Sequence, residues 1–231
     1  MNLQKRDCPV KITLNPCSSF YLQIEMEING EKHTFMPSGA MSYFFSEFMG
    51  AVYALYFEGK DCHNHPFVQN YSKRADHTFA KQDATLSDDV VRIESKICWD
   101  EEGPMDHISF CRFASTRPHF PPEEGPDPVT VTISYEDRED VCGTYSYTVD
   151  GRDLCYAIGK AASDAIKKYG FHGYHYSTGC DVVIYDLFDM NQLVFFKAYA
   201  LNAMDARTLR KEEEVFSSSF EKELELLLFE M

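Results

Sequence analysis

The sequence predicts an α+β fold of mainly antiparallel sheet, with helices packed on one face. Two observations carry this expectation: apolar residues alternate at period two between short turn signals, and two longer segments repeat them at helical spacing. Phe20, Leu22, Ile24, Met26 and Ile28 alternate with Tyr21, Gln23, Glu25 and Glu27, the pattern of a half-buried strand. Asn29-Gly30 suits the positive φ angles of a type I′ turn, and Glu31 to Met36 supplies the returning strand.

Pro37-Ser38-Gly39 breaks that strand, and Ser38 is placed to cap a helix running to about Phe57. Its apolar stripe is Met41, Phe44, Phe45, Phe48, Val52 and Leu55, with Gly59 as a stop. From Lys60 to Gln82 no period is sustained, which reads as a long connection. Order resumes with Val91, Ile93, Ile97 and Trp99 alternating against Arg92, Glu94 and Lys96, followed by a partner strand over Ile108 to Phe113. Five prolines between Arg117 and Pro128 exclude a central strand or a helix interior there.

A further hairpin follows. Val129, Val131, Ile133 and Tyr135 alternate with polar neighbours, and Tyr145, Tyr147 and Val149 do the same after an acidic turn. Asp150 can cap a helix from about Gly151 to Tyr169, buried through Leu154, Ile158, Ala161, Ala162 and Ala165 and closed by Gly170. Val182 to Leu187 reads as a strand, Leu193 to Leu201 fits either strand or short helix, and Phe220 to Met231 is an amphipathic helix. The order of elements makes a duplicated β-β-α-β-β arrangement a candidate. On that reading 1–116 forms one α+β half, 117–128 a Pro-rich linker and 129–231 a second half with the C-terminal helix. A single continuous domain is the alternative.

Charge narrows the function. The 231 residues carry 37 acids against 22 Lys and Arg, a formal net charge of −15. Such a field disfavours phosphate backbones and favours a cationic partner. The first residues contain no apolar run of the kind a secretory signal needs, and no apolar stretch approaches the length of a membrane span, so a cytoplasmic protein without membrane or nucleic-acid partners is expected. Eight cysteines without a Cys-x-x-Cys pair read as buried, reduced thiols. Neither a glycine-rich phosphate loop nor a dinucleotide fingerprint occurs, and no cofactor is expected.

Three groups of residues are candidate sites. Asp61-Cys62-His63-Asn64-His65, with His77, holds weak candidates for a metal, since a zinc site needs about four converging N or S ligands. Incidental histidines in a polar loop are the simpler reading. Tyr169 to Gly179 is a loop rich in Tyr and His in which Tyr174 and Tyr176 suit partner contact better than catalysis. Acids gather between the strands, at Asp88-Asp89, Asp100-Glu101-Glu102, Glu123-Glu124 with Asp127, Glu136-Asp137 and Glu139-Asp140, and again at Glu212-Glu213-Glu214. Glu101, Glu102, Glu136, Asp137, Glu139 and Asp140 are the expected partner-binding rim. The resulting expectation is a non-catalytic binding module, most concretely an immunity protein or antitoxin neutralising a basic, nuclease-like toxin. A metal-dependent hydrolase using His63 and His65 is one alternative, and a DNA mimic blocking a nucleic-acid-binding enzyme is another.

Overall fold

A computed structural model describes residues 8–16, 22–36, 41–56, 79–81, 90–100, 105–115, 126–136, 143–169, 172–175, 180–183 and positions 193, 196, 199 and 200. The fold is α+β, and every strand pairing in it is antiparallel. Its elements are β1 (Val10–Pro16), β2 (Leu22–Ile28), β3 (Glu31–Phe35), α1 (Met41–Ala54), β4 (Phe79–Lys81), β5 (Val90–Asp100), β6 (Met105–Ser115), β7 (Pro128–Glu136), β8 (Gly143–Asp150), α2 (Gly151–Tyr169), β9 (His172–His175) and β10 (Cys180–Val183). They fall into two compact units, one of 1–42 with 152–231 and one of 43–151. Among the described residues, no helix is long and apolar enough to cross a membrane.

The first unit contains the sheet β1-β2-β3. Asn29 (φ 53°) and Gly30 (φ 87°) take the left-handed conformations a type I′ turn needs, and the β2–β3 hairpin forms as its sequence predicts. β1 is an addition to the expected pair. Val10, Ile12 and Leu14 alternate with Lys11, Thr13 and Asn15, and the register sets Ile12 beside Met26 and Leu14 beside Ile24 on one buried face. On the other face Lys11 pairs with Glu27 at 3.1 Å. His33 lies on the buried face next to Met26. Burial holds its imidazole below the ordinary histidine pKa, while neighbouring Glu31 opposes the shift.

α2 begins immediately after Asp150, as its capping sequence implies, and buries Leu154, Ile158, Ala161, Ala162 and Ala165. Cys155, Tyr156, Ala157 and Ile166 are buried as well, so the helix is enclosed on much more than one stripe. The Cys8 thiol donates to the Asp153 carbonyl at 3.5 Å, and the Arg152 guanidinium sits 5.8 Å from the centre of the Tyr199 ring. Leu193, Phe196, Tyr199 and Ala200 are buried positions of helical backbone, the helical alternative at these four positions. The segment after Gly170 differs from the expected loop: His172–His175 and Cys180–Val183 pair as a hairpin. Phe220 to Met231 lies outside the described residues.

The second unit is the sheet β4-β5-β6-β7-β8 with α1. β4 pairs at its edge within a stretch whose sequence shows no strand period, and its three residues are too few to display one. Phe45, Phe48, Val52 and Leu55 of the predicted stripe are buried, and Phe48 meets Phe110 of β6 edge-to-face at 5.5 Å. Ile108, Phe110, Val131 and Ile133 form adjacent rows of the buried sheet face. β6 and β7 flank 117–128 and are hydrogen-bonded neighbours. The two compact units meet in the sequence near 42 and 151. The duplicated order is present as hairpin, helix, hairpin on both sides of 117–128, but the pairing is not duplicated: β5-β6 and β7-β8 share one sheet, whereas β9-β10 stand as a separate pair.

Arg112 and Asp127 are charged residues inside this core. Arg112 follows Ile108 and Phe110 on the inward face of β6, and its Nε donates to Asp127 Oδ1 at 2.8 Å with both side chains buried. Its Nη1 donates to the Leu55 carbonyl at 3.4 Å, and the guanidinium lies 4.7 Å from the centre of the Tyr56 ring. The Asp127 carbonyl accepts from the Gly151 N–H at 2.7 Å. The cluster therefore joins the end of α1, β6, the start of β7 and the end of β8. Gly151 has no room for a side chain, because a Cβ there would stand 2.0 Å from the Tyr56 hydroxyl and 2.7 Å from Asp127 Oδ2.

Removing one partner of this pair strands a buried charge, so Arg112→Ala or Asp127→Ala lowers unfolding stability by about 3–5 kcal/mol in urea titrations. The double change Arg112→Met with Asp127→Leu loses less than either single change. Gly151→Ala costs about 1–3 kcal/mol through overpacking. The pH dependence of the first unit follows from His33. Its folded pKa lies below the unfolded value of about 6.5, so the unfolded chain takes up the proton first; this contribution to stability is intact above about pH 6.5 and falls away below it. His33→Met flattens that part of the stability profile between about pH 7 and 5.

Candidate functional site

The pairing register brings four strand ends together. Asp100, the last residue of β5, pairs with Met105, the first of β6. Met105 pairs in turn with Glu136, the last residue of β7, and Tyr135 pairs with Gly143, the first of β8. One end of the five-stranded sheet thus carries both acidic connections, 101–104 and 137–142. This arrangement follows from two successive antiparallel hairpins of matched length, since each returns its chain to the end it left. Glu136 is placed at that end by its register. Glu101, Glu102, Asp137, Glu139 and Asp140 lie outside the described residues, in the two segments that these strand ends bound.

Next to this end the outer face of the sheet is polar and its inner face aromatic. The Ser134 and Thr144 hydroxyls share a hydrogen bond of 3.1 Å across β7 and β8, and the Tyr135 and Tyr145 rings meet at 6.1 Å with planes 74° apart. The sheet's other end also bounds acidic connections, 82–89 with Asp88-Asp89 and 116–127 with Glu123-Glu124. Asp127, counted by sequence with the acidic cluster Glu123-Glu124, is buried and neutralised by Arg112, so it adds nothing to the surface field. Asp88-Asp89 and Glu123-Glu124 lie outside the described residues.

Tyr174 belongs to the other compact unit, in β9 opposite Asp181. Its expected loop setting is replaced by a strand that pairs with β10, and the sequence between the two carries no hairpin dipeptide. Tyr176 lies outside the described residues. So do His63, His65 and His77; among the described residues, no three His, Cys, Asp or Glu side chains form a group that could hold a metal. Cys8, Cys111 and Cys155 are reduced, and of these only Cys155 is buried. Cys111 instead accepts from Arg92 Nε at 3.3 Å on the solvent face of β5 and β6, where Arg92 also pairs with Glu94.

The feature that residue-by-residue reading misses is the edge position of β8. Thr144, Ser146 and Thr148 alternate with Tyr145, Tyr147 and Val149 in plain view, but only the pairing order reveals that no described strand follows β8. Comparison of the chain with protein-family models, curated proteins and solved structures gives no match.

Proposed function

We propose that this chain is a non-catalytic, cytoplasmic binding protein that docks a cationic protein on the acidic end of its five-stranded sheet. Its most concrete form is an immunity protein or antitoxin that neutralises a basic, nuclease-like toxin. The observation that supports this reading is the shared sheet end of the two acidic connections, in a chain of net charge −15. Carboxylates grouped in this way raise the local concentration of a basic partner and orient its approach, an effect that acts mainly on association rate and weakens with salt. A nuclease site is itself basic because it must hold phosphates, so a negatively charged surface is the complement that would occlude it.

The test uses two charge reversals of equal size. One converts Glu101, Glu102, Glu139 and Asp140 to Lys, and the other converts Asp88, Asp89, Glu123 and Glu124 to Lys. With a basic protein captured by the unaltered chain, the first set slows association about 10–100-fold and the second changes it little. Equal retention of every captured protein by all three forms would contradict the reading.

A further inference from the structure

We infer that β8 is a docking edge at which an extended, lysine- or arginine-flanked segment of the cationic partner adds as a sixth strand. The inference rests on the acidic-surface reading above and specifies how the partner is held there. Its first support is the pattern of backbone hydrogen bonds. Gly151 N–H donates to the Asp127 carbonyl, which fixes 127 and 151 as a hydrogen-bonded pair one step beyond the continuous register of β7 and β8. Such pairs alternate along an antiparallel ladder. The groups of Tyr145, Tyr147 and Val149 therefore face β7, while the N–H and C=O of Thr144, Ser146 and Thr148 point away from the sheet. These three residues are also the exposed ones along β8.

The second support is the lack of a guard. Edge strands are ordinarily blunted by shortness, by Lys or Pro, or by a bulge, because an open row of N–H and C=O groups templates further pairing. The other described edges follow that rule: β4 has three residues and β9 and β10 four each, β1 carries Lys11 and ends in Pro16, and β3 carries Lys32. β8 has eight residues in an unbroken register, and Gly143 to Val149 contains no charge and no proline. At about 3.4 Å per residue it offers roughly 27 Å of ladder.

Charge selects the occupant. The Gly143 end of β8 follows the acidic stretch 136–140, and the other end closes on Asp150. A strand with cations at both ends complements the acids that flank β8 in the sequence. A second copy of this chain does not, since antiparallel pairing of two β8 edges brings Asp150 of one towards the acidic stretch of the other, in chains that each carry −15. Main-chain hydrogen bonds would supply the affinity and the flanking charges the orientation.

The probe is a synthetic peptide of about ten residues, alternating Thr and Val between paired lysines, with a control of the same sequence N-methylated at alternate amides. Binding to the full chain is read by fluorescence anisotropy. The variant is Ser146→Pro, which deletes an outward N–H without touching the β7 ladder, a position at which an edge strand tolerates proline. Thr148→Pro serves if the first variant fails to fold by circular dichroism. Strand addition predicts that N-methylation and the proline change each weaken binding roughly tenfold or more, and that amide exchange at Thr144, Ser146 and Thr148 slows on binding. Binding that depends on Glu139 and Asp140 but ignores both backbone changes would overturn strand addition and leave the acidic-surface reading standing. Absence of peptide binding, or self-association abolished by Ser146→Pro, would also overturn it.

Discussion

The second unit depends on one buried ion pair. Arg112 and Asp127 occupy positions where the β6 and β7 patterns would ordinarily place apolar side chains or end the strand, and desolvating two charges is unfavourable unless their geometry compensates. Here it does. The guanidinium spends its directional donors on Asp127 and the Leu55 carbonyl and lays its face against Tyr56, while Gly151 leaves space for both. A lysine in place of Arg112 would offer neither the planar face nor the fork. The pair thus specifies which parts of the chain meet: the end of α1, the inner face of β6, and the point where β7 starts and β8 finishes.

That constraint has a functional corollary. Once Arg112 fixes the Pro128–Asp150 end of the β7–β8 hairpin, the hairpin's opposite end can only emerge beside the β5–β6 connection. The acidic connections are neighbours because the core is tied at the other side. Burial of Asp127 removes one carboxylate from the surface at the tied end.

Much of the fold is legible from local pattern, and the parts that are not share a physical reason. The β2–β3 and β7–β8 hairpins, α1 and α2 announce themselves because each buries one face at its own period. β4 and the β9–β10 pair are too short for a period to develop, and β1 is overlooked although Val10, Ile12 and Leu14 display it. The proline-rich segment reads as a domain boundary since proline forbids ladder pairing locally, but it says nothing of whether the strands on either side meet. For the site, the acidic clusters are visible as composition. Their common sheet end is not, because it depends on which strand neighbours which, and neither is the edge status of β8. Arg112 is a special case: its phase after Ile108 and Phe110 marks it as inward-facing, yet its partner lies across the proline-rich stretch, beyond the reach of any local pattern.

The central claim is spatial, that a basic protein meets this chain at one end of one sheet. Carbodiimide crosslinking joins carboxylates to lysines in direct contact, and peptide mass spectrometry then locates the joined residues. Docking at this sheet end gives crosslinks concentrated on Glu101, Glu102, Glu136, Asp137, Glu139 and Asp140. Crosslinks scattered among acids throughout the chain, or confined to Glu212, Glu213 and Glu214, would contradict it.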